Sequence, residues 1–141
     1  MDRQDWVLLA IYFGGDRGLS PVQLQKSLFL LGMEVQEVQG NFYEFFPHNY
    51  GPFCKEIYMD AERMAEEGLI AIERIPQQYS KYFIMPHGQN RVNEIGHEVP
   101  PRAWDYLKNA VEWAQKQSFS GLIRAIYDKY PDYRVNSVFQ Y

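Results

Sequence analysis

The sequence has a single cysteine, Cys54, and only three histidines among its 141 residues. One cysteine excludes an internal disulfide and a cysteine-rich zinc site, and it is typical of a protein kept in a reducing cytosol. His87 and His97 stand at no metal-ligand spacing such as H-x-x-x-H, and no cysteine or paired carboxylate lies at a helical offset from either. We therefore expect no metal and no other cofactor.

The chain also lacks a basic leader, a small-residue cleavage site and any run of about 18 apolar residues. These absences predict a soluble, cytoplasmic protein with no membrane partner. Basic residues are the minority, because 18 acids outnumber 14 bases and give a net charge of -4. Phosphate binding requires an excess of Lys and Arg, so this balance disfavours nucleic acid as a partner but leaves it open.

Aromatic residues, in contrast, are abundant: they make up 16% of the sequence, within a hydrophobic content of 46%. A globular chain of this length buries enough surface to fold without a metal or disulfide. The sequence contains no repeat, low-complexity tract or long linker. We therefore expect one domain over residues 1–141, with a core at 1–85 and a C-terminal helical extension at 86–141.

Apolar spacing and capping residues predict three helices followed by a β-hairpin, which is the order of a winged helix-turn-helix domain. The predicted helices cover residues 5–13, a long segment from Pro21 that Gly40 closes, and 52–67, and the predicted strands cover 69–72 and 81–85. Further helices are predicted around 90–95, from Pro101, and from Ser118 or Ser120. The predicted fold class is thus α+β, mainly helical, with a winged-helix-like core and additional C-terminal helices.

Charge on the third helix decides how such a domain is used. Between Cys54 and Glu67, five acids stand against two bases, a net charge of -3 that would repel a DNA duplex. A winged helix used for protein contacts fits this charge better. The alternative is a transcriptional regulator that binds DNA as a dimer, with a basic surface assembled from Arg17, Lys26, Arg74 and Lys81.

Residues 41–53 have neither helical nor strand period and predict an ordered aromatic loop. Its aromatic side chains either anchor the loop in the core or remain exposed and capture a partner. Gly51 is expected to take a positive φ, and Pro52 to occupy the first position of helix three. The candidate partner-binding residues are Phe45, Phe46, His48, Tyr50, Gly51 and Pro52.

Cys54 at the start of helix three, with His48 six residues earlier, raises a second alternative, a small hydrolase or transferase with a Cys-His pair. Such a pair also requires an orienting group and an oxyanion site, which the spacing does not reveal. We therefore predict no catalytic residue. The apolar segment 135–141 is expected to pack on the body of the protein or on another chain.

Three segments resemble the signatures LQKLLYL, YGP and EEGLI of the SocA-like, or Panacea-domain, group of small bacterial and phage-associated proteins. They are Leu24-Gln25-Lys26-Ser27-Leu28-Phe29-Leu30, Tyr50-Gly51-Pro52-Phe53 and Met64-Ala65-Glu66-Glu67-Gly68-Leu69-Ile70. The tail from Tyr127 to Ser137 is similar to a Tyr-Pro then Ser ending in some relatives. The resemblance implies a noncatalytic, antitoxin- or adaptor-like protein that binds a protein partner, often a toxin encoded beside it. A homodimer stays open.

Overall fold

A computed structural model describes residues 1–139 and shows an α+β, mainly helical fold, which confirms the predicted class. The helices are α1 Gln4–Gly14, α2 Pro21–Glu34, α3 Lys55–Glu66, α4 Pro86–Ile95, α5 Pro101–Gln115 and α6 Phe119–Lys129. The strands are β1 Phe46–His48, β2 Gly51–Phe53, β3 Ile70–Glu73 and β4 Lys81–Ile84. Two antiparallel hairpins, β1–β2 and β3–β4, form the sheets of the described residues.

Helix α2 begins at Pro21, as predicted, and a capping box formed by Ser20 and Gln23 precedes it. The Ser20 hydroxyl accepts a hydrogen bond from the Gln23 N–H at 3.2 Å, and the Gln23 side chain accepts one from the Ser20 N–H at 2.9 Å. The predicted end near Gly40 is wrong, because the helix stops at Glu34 and Val35 is extended. Val35 and Val38 are nevertheless buried. The apolar spacing therefore predicted correctly that these side chains are buried, although the helix ends before them.

The segment predicted as an ordered aromatic loop without strands contains the β1–β2 hairpin, with Phe46 opposite Phe53 and His48 opposite Gly51. Pro52 therefore lies in a strand, and α3 begins three residues later, at Lys55, not at Pro52 as predicted. The positive φ expected at Gly51 is confirmed, at 99°. Strands of three residues are too short to produce a recognisable alternation in the sequence.

Helix α1 lies at the centre of the core and is buried on all sides from Val7 to Ile11. It contacts α2, α3, α4 and α5, and α5 also packs along α2. The hairpin predicted from residues 69–72 and 81–85 is present as β3–β4. Leu19 adds an antiparallel bridge to Tyr82 at its edge. No helix within residues 1–139 has both the length and the apolarity that a bilayer crossing requires.

Gly88 of α4 packs closely against the backbone just before β3, and a substitution there tests how tightly α4 is packed. A Cβ atom at Gly88 would lie 2.1 Å from the Leu69 carbonyl oxygen. We expect Gly88→Ala to lower the free energy of unfolding by roughly 1–3 kcal/mol, as overpacking does. Urea unfolding followed by circular dichroism measures the change.

Gly96→Ala is the matched control, because Gly96 has helical dihedrals and no neighbouring atom within 4 Å of its Cβ position. This variant should be neutral or slightly more stable, since alanine restricts the unfolded chain. Equal stabilities of the two variants would contradict the packing described for α4.

Candidate functional site

Two consecutive buried side chains of α2 hold the β1–β2 hairpin. The Gln25 amide donates to the Cys54 carbonyl at 2.8 Å and accepts from the Cys54 N–H at 3.0 Å. The Lys26 amine donates to the Pro52 carbonyl at 3.0 Å. The two side chains thus form hydrogen bonds with backbone groups at and just after the end of β2, although the Cys54 carbonyl also accepts from the Ile57 N–H at 3.3 Å.

Lys26 is only 4% exposed. No carboxylate of residues 1–139 forms an ion pair with it. Because burial disfavours the charged amine, the pKa of Lys26 falls to about 7. A Cβ atom at Gly51 would stand 3.6 Å from the Lys26 amine nitrogen and 3.3 Å from the Tyr127 ring. The turn of the hairpin therefore lies directly on Lys26 and requires glycine both for its positive φ and for this close approach.

The C-terminal segment is hydrogen-bonded to the same hairpin. The Tyr127 hydroxyl donates to the Ser137 hydroxyl at 2.6 Å, and Ser137 donates to the Asn49 carbonyl at 3.1 Å. The Val138 N–H donates to that carbonyl at 3.0 Å, and the Asn136 amide donates to the Pro47 carbonyl at 3.3 Å. Up to residue 139 the tail therefore lies on the body, as predicted, but it is held by hydrogen bonds while Val135 and Val138 are exposed. Residues 140–141 lie outside the described residues.

These contacts bring together segments that the sequence keeps far apart. Gln25 and Lys26 belong to the first resemblance motif, Gly51 and Pro52 to the second, and Ser137 to the tail. Four side chains contact this hairpin at its turn or at the end of β2. We call them the hairpin anchor: Gln25, Lys26, Tyr127 and Ser137.

The six candidate binding residues divide by exposure. Phe46, His48 and Tyr50 are exposed, with Phe46 at 62% and Tyr50 at 44%. Gly51 and Pro52 are buried, and the half-buried Phe45 ring packs edge-on against Phe29 at 5.4 Å. The structure therefore anchors part of the aromatic segment in the core and leaves the other part exposed.

Phe119 extends the exposed group, because its ring lies 5.3 Å from that of Tyr50 and its side chain is 48% exposed. Sequence analysis did not include Phe119 among the candidate binding residues. Its position directly after the helix cap Ser118 could have been read from the sequence, but its contact with Tyr50 could not. We call Phe46, His48, Tyr50 and Phe119 the hairpin surface.

Of the four residues in the basic surface of the DNA-binding alternative, Arg17 and Lys81 lie together without a carboxylate partner in residues 1–139, and Lys81 donates to the Arg17 carbonyl at 3.1 Å. Lys26 is buried, and Arg74 pairs with Glu62 at 2.6 Å. On α3, Arg63 is hydrogen-bonded to the buried carboxylate of Asp60.

Cys54 and His48 form no hydrogen bond with each other in residues 1–139. The buried thiol donates instead to the Glu56 carboxylate at 3.4 Å, and the His48 ring lies 4.9 Å from that of Phe53. Burial, and then the bond to Glu56, raises the pKa of the Cys54 thiol, which is the opposite of activation. Within residues 1–139 no three His, Cys, Asp or Glu side chains are grouped to hold a metal ion.

No protein-family model matches the chain, and comparison with curated proteins likewise gives no match.

The Cys54 environment predicts slow thiol chemistry. Because the thiol is buried and its pKa is raised, its reaction with a chromogenic disulfide at pH 7.5 should be at least about tenfold slower than that of glutathione. Reaction in denaturant, where the thiol is free, should restore the ordinary rate. A folded-state rate above that of glutathione would revive the Cys-His hypothesis.

The Lys26 pKa predicts a specific pH dependence of stability. Between pH 7 and 10.5 the unfolded lysine is protonated, whereas the folded amine is neutral. The stability of the wild-type protein relative to Lys26→Met should therefore rise with pH in this window, by up to about 1.4 kcal/mol per pH unit, and be constant below it. Urea unfolding of both proteins from pH 6 to 10 measures this difference.

Lys108→Met is the control, because Lys108 is exposed on α5. Its stability difference from the wild type should change little over the same pH range. A Lys26→Met curve parallel to that of the wild type would show that Lys26 is not buried as an amine.

Proposed function

We propose that the protein is a noncatalytic, antitoxin- or adaptor-like module that binds a protein partner through the hairpin surface and the adjoining start of α3. The observation that carries the proposal is the exposure of Phe46, His48 and Tyr50 on one hairpin. The backbone of this hairpin is hydrogen-bonded to side chains of α2 and of the C-terminal segment. Aromatic side chains dominate binding energy at protein interfaces, and a rigid backbone reduces the entropy lost on association.

The resemblance to the SocA-like, or Panacea-domain, proteins supports the same proposal. The motif residues Gln25, Lys26, Gly51 and Pro52 are buried in or on the hairpin anchor, while the aromatic residues around them are exposed. The motifs would therefore supply the support of the surface and, through Tyr50 of the second motif, one of its exposed aromatic side chains. The proposal includes a cytoplasmic location and a partner encoded nearby, such as a toxin.

The start of α3 extends this surface. Lys55 and Glu56 are exposed in its first turn, and Met59 follows them with its side chain 55% exposed. The Phe53 ring at the end of β2 contacts Tyr58 of α3 at 5.6 Å, which joins the hairpin to the helix. Exposed methionine is typical of protein-binding surfaces.

Affinity capture from the native cytoplasm tests the proposal. The tagged protein is recovered at low salt and at about 0.5 M salt, and both protein and nucleic acid are analysed in the eluate. We expect one stoichiometric protein retained at both salts. With that partner purified, Phe46→Ala combined with Tyr50→Ala should weaken the affinity by about 100-fold or more.

Met33→Ala combined with Met85→Ala is the matched control, since both methionines are exposed apolar side chains outside the hairpin surface. This variant should bind with nearly wild-type affinity. Equal loss in both double variants, or no loss in either, would contradict the proposed surface. Nucleic acid that is captured at low salt and released at high salt would favour the regulator instead.

A further inference from the structure

A second site lies beside the hairpin surface. A cleft of about 620 Å³ opens between the start of α2, the start of α6 and the β3–β4 hairpin. This volume falls within the range of small-molecule sites. Ser20 and Gln23 line it from α2, Ser118 and Phe119 from the start of α6, and Lys81 from β4.

The charged side chains that line the cleft, Arg17 and Lys81, are both cationic. Arg17 donates to the Gln115 carbonyl at 3.3 Å, and Lys81 donates to the Arg17 carbonyl at 3.1 Å. Neither forms an ion pair with a carboxylate of residues 1–139, although Glu73 stands opposite Lys81 in the hairpin register. Arg74, Arg91 and Arg102, in contrast, all pair with carboxylates.

In a chain with a net charge of -4, the described lining of this cleft therefore holds two cationic side chains and no acidic one, although Glu73, opposite Lys81 in the hairpin, offsets part of their charge. Helices α2 and α6 both begin at the cleft, so the positive ends of their dipoles add to the field of the two side chains. An anionic group is the ligand chemistry that such a field favours.

Aromatic and amide side chains complete the lining. Tyr79 is 61% exposed, and it borders the cleft together with Phe119. The amides of Gln23 and Gln117 also line it and can hydrogen-bond to a polar ring edge or a sugar. Phosphate-binding cations beside exposed aromatic rings and amides match a ligand that joins an anion to a planar ring.

We propose that this cleft binds a nucleoside phosphate, with its phosphate on Arg17 and Lys81 and its base against the rings of Tyr79 and Phe119. The site is distinct from the hairpin surface, which it touches only at Phe119. It therefore stands whether or not the hairpin surface binds a protein.

Isothermal titration calorimetry with AMP, ATP, adenosine and pyrophosphate tests this proposal. We expect AMP and ATP to bind, and both to bind more tightly than adenosine or pyrophosphate alone. Arg17→Gln and Lys81→Met should each weaken AMP binding by about tenfold, the loss expected for one charge-assisted hydrogen bond. Tyr79→Ala should weaken AMP binding and leave pyrophosphate binding unchanged.

Lys108→Met removes the same charge from an exposed position outside the cleft and should leave AMP binding unchanged. Thermal unfolding of each variant confirms that it is folded, as expected for substitutions at the partly exposed Arg17, Tyr79 and Lys81. No binding of AMP or ATP at millimolar concentration would overturn the proposal. Equal binding of pyrophosphate and AMP, equal affinity in all variants, or tighter binding of a DNA duplex than of ATP would also overturn it.

Discussion

The attachment of Gln25 and Lys26 to the backbone of residues 52–54 is the constraint on which the hairpin surface depends. Burying an amide and an amine is costly unless each finds a partner, and here the partners are backbone groups that also need one. These hydrogen bonds determine where β2 lies, and they bring the Gly51 backbone close to the Lys26 amine. A neutral Lys26 can still donate to the Pro52 carbonyl, so the contact does not require a buried charge.

Two buried carboxylates organise the other polar contacts of the core. Asp5 accepts two hydrogen bonds from Arg91, at 3.2 and 3.0 Å, which ties α1 to α4. Asp60 of α3 accepts one from the Tyr43 hydroxyl at 2.6 Å, in the segment that leads into β1. Burial, together with this bond, raises the pKa of Tyr43 and keeps it a donor. The hairpin is therefore held at its approach as well as at its turn.

The hairpin surface and the cationic cleft occupy neighbouring regions with opposite character. The first presents exposed aromatic rings, and the second presents Arg17 and Lys81 beside amides. Phe119 belongs to both, because it contacts Tyr50 and also lines the cleft. A ligand that moved the Phe119 ring would therefore act directly on the edge of the hairpin surface.

The sequence by itself determined the features that depend on local rules. The capping box at Ser20, the start of α5 at Pro101, the β3–β4 hairpin and the positive φ at Gly51 all follow from neighbouring residues or from regular apolar spacing. Only the tertiary structure decided that residues 46–53 pair as strands and that Lys26 is buried. The same holds for the meeting of Phe119 with Tyr50 and for the cleft that contains Arg17 and Lys81. The pairing of β1 with β2 is local, but strands of three residues are too short to show an alternation in the sequence. The other features rest on contacts between residues far apart in the chain, such as Lys26 with Pro52. Periodicity indicates burial along one element and does not indicate which distant group will pair with a polar side chain.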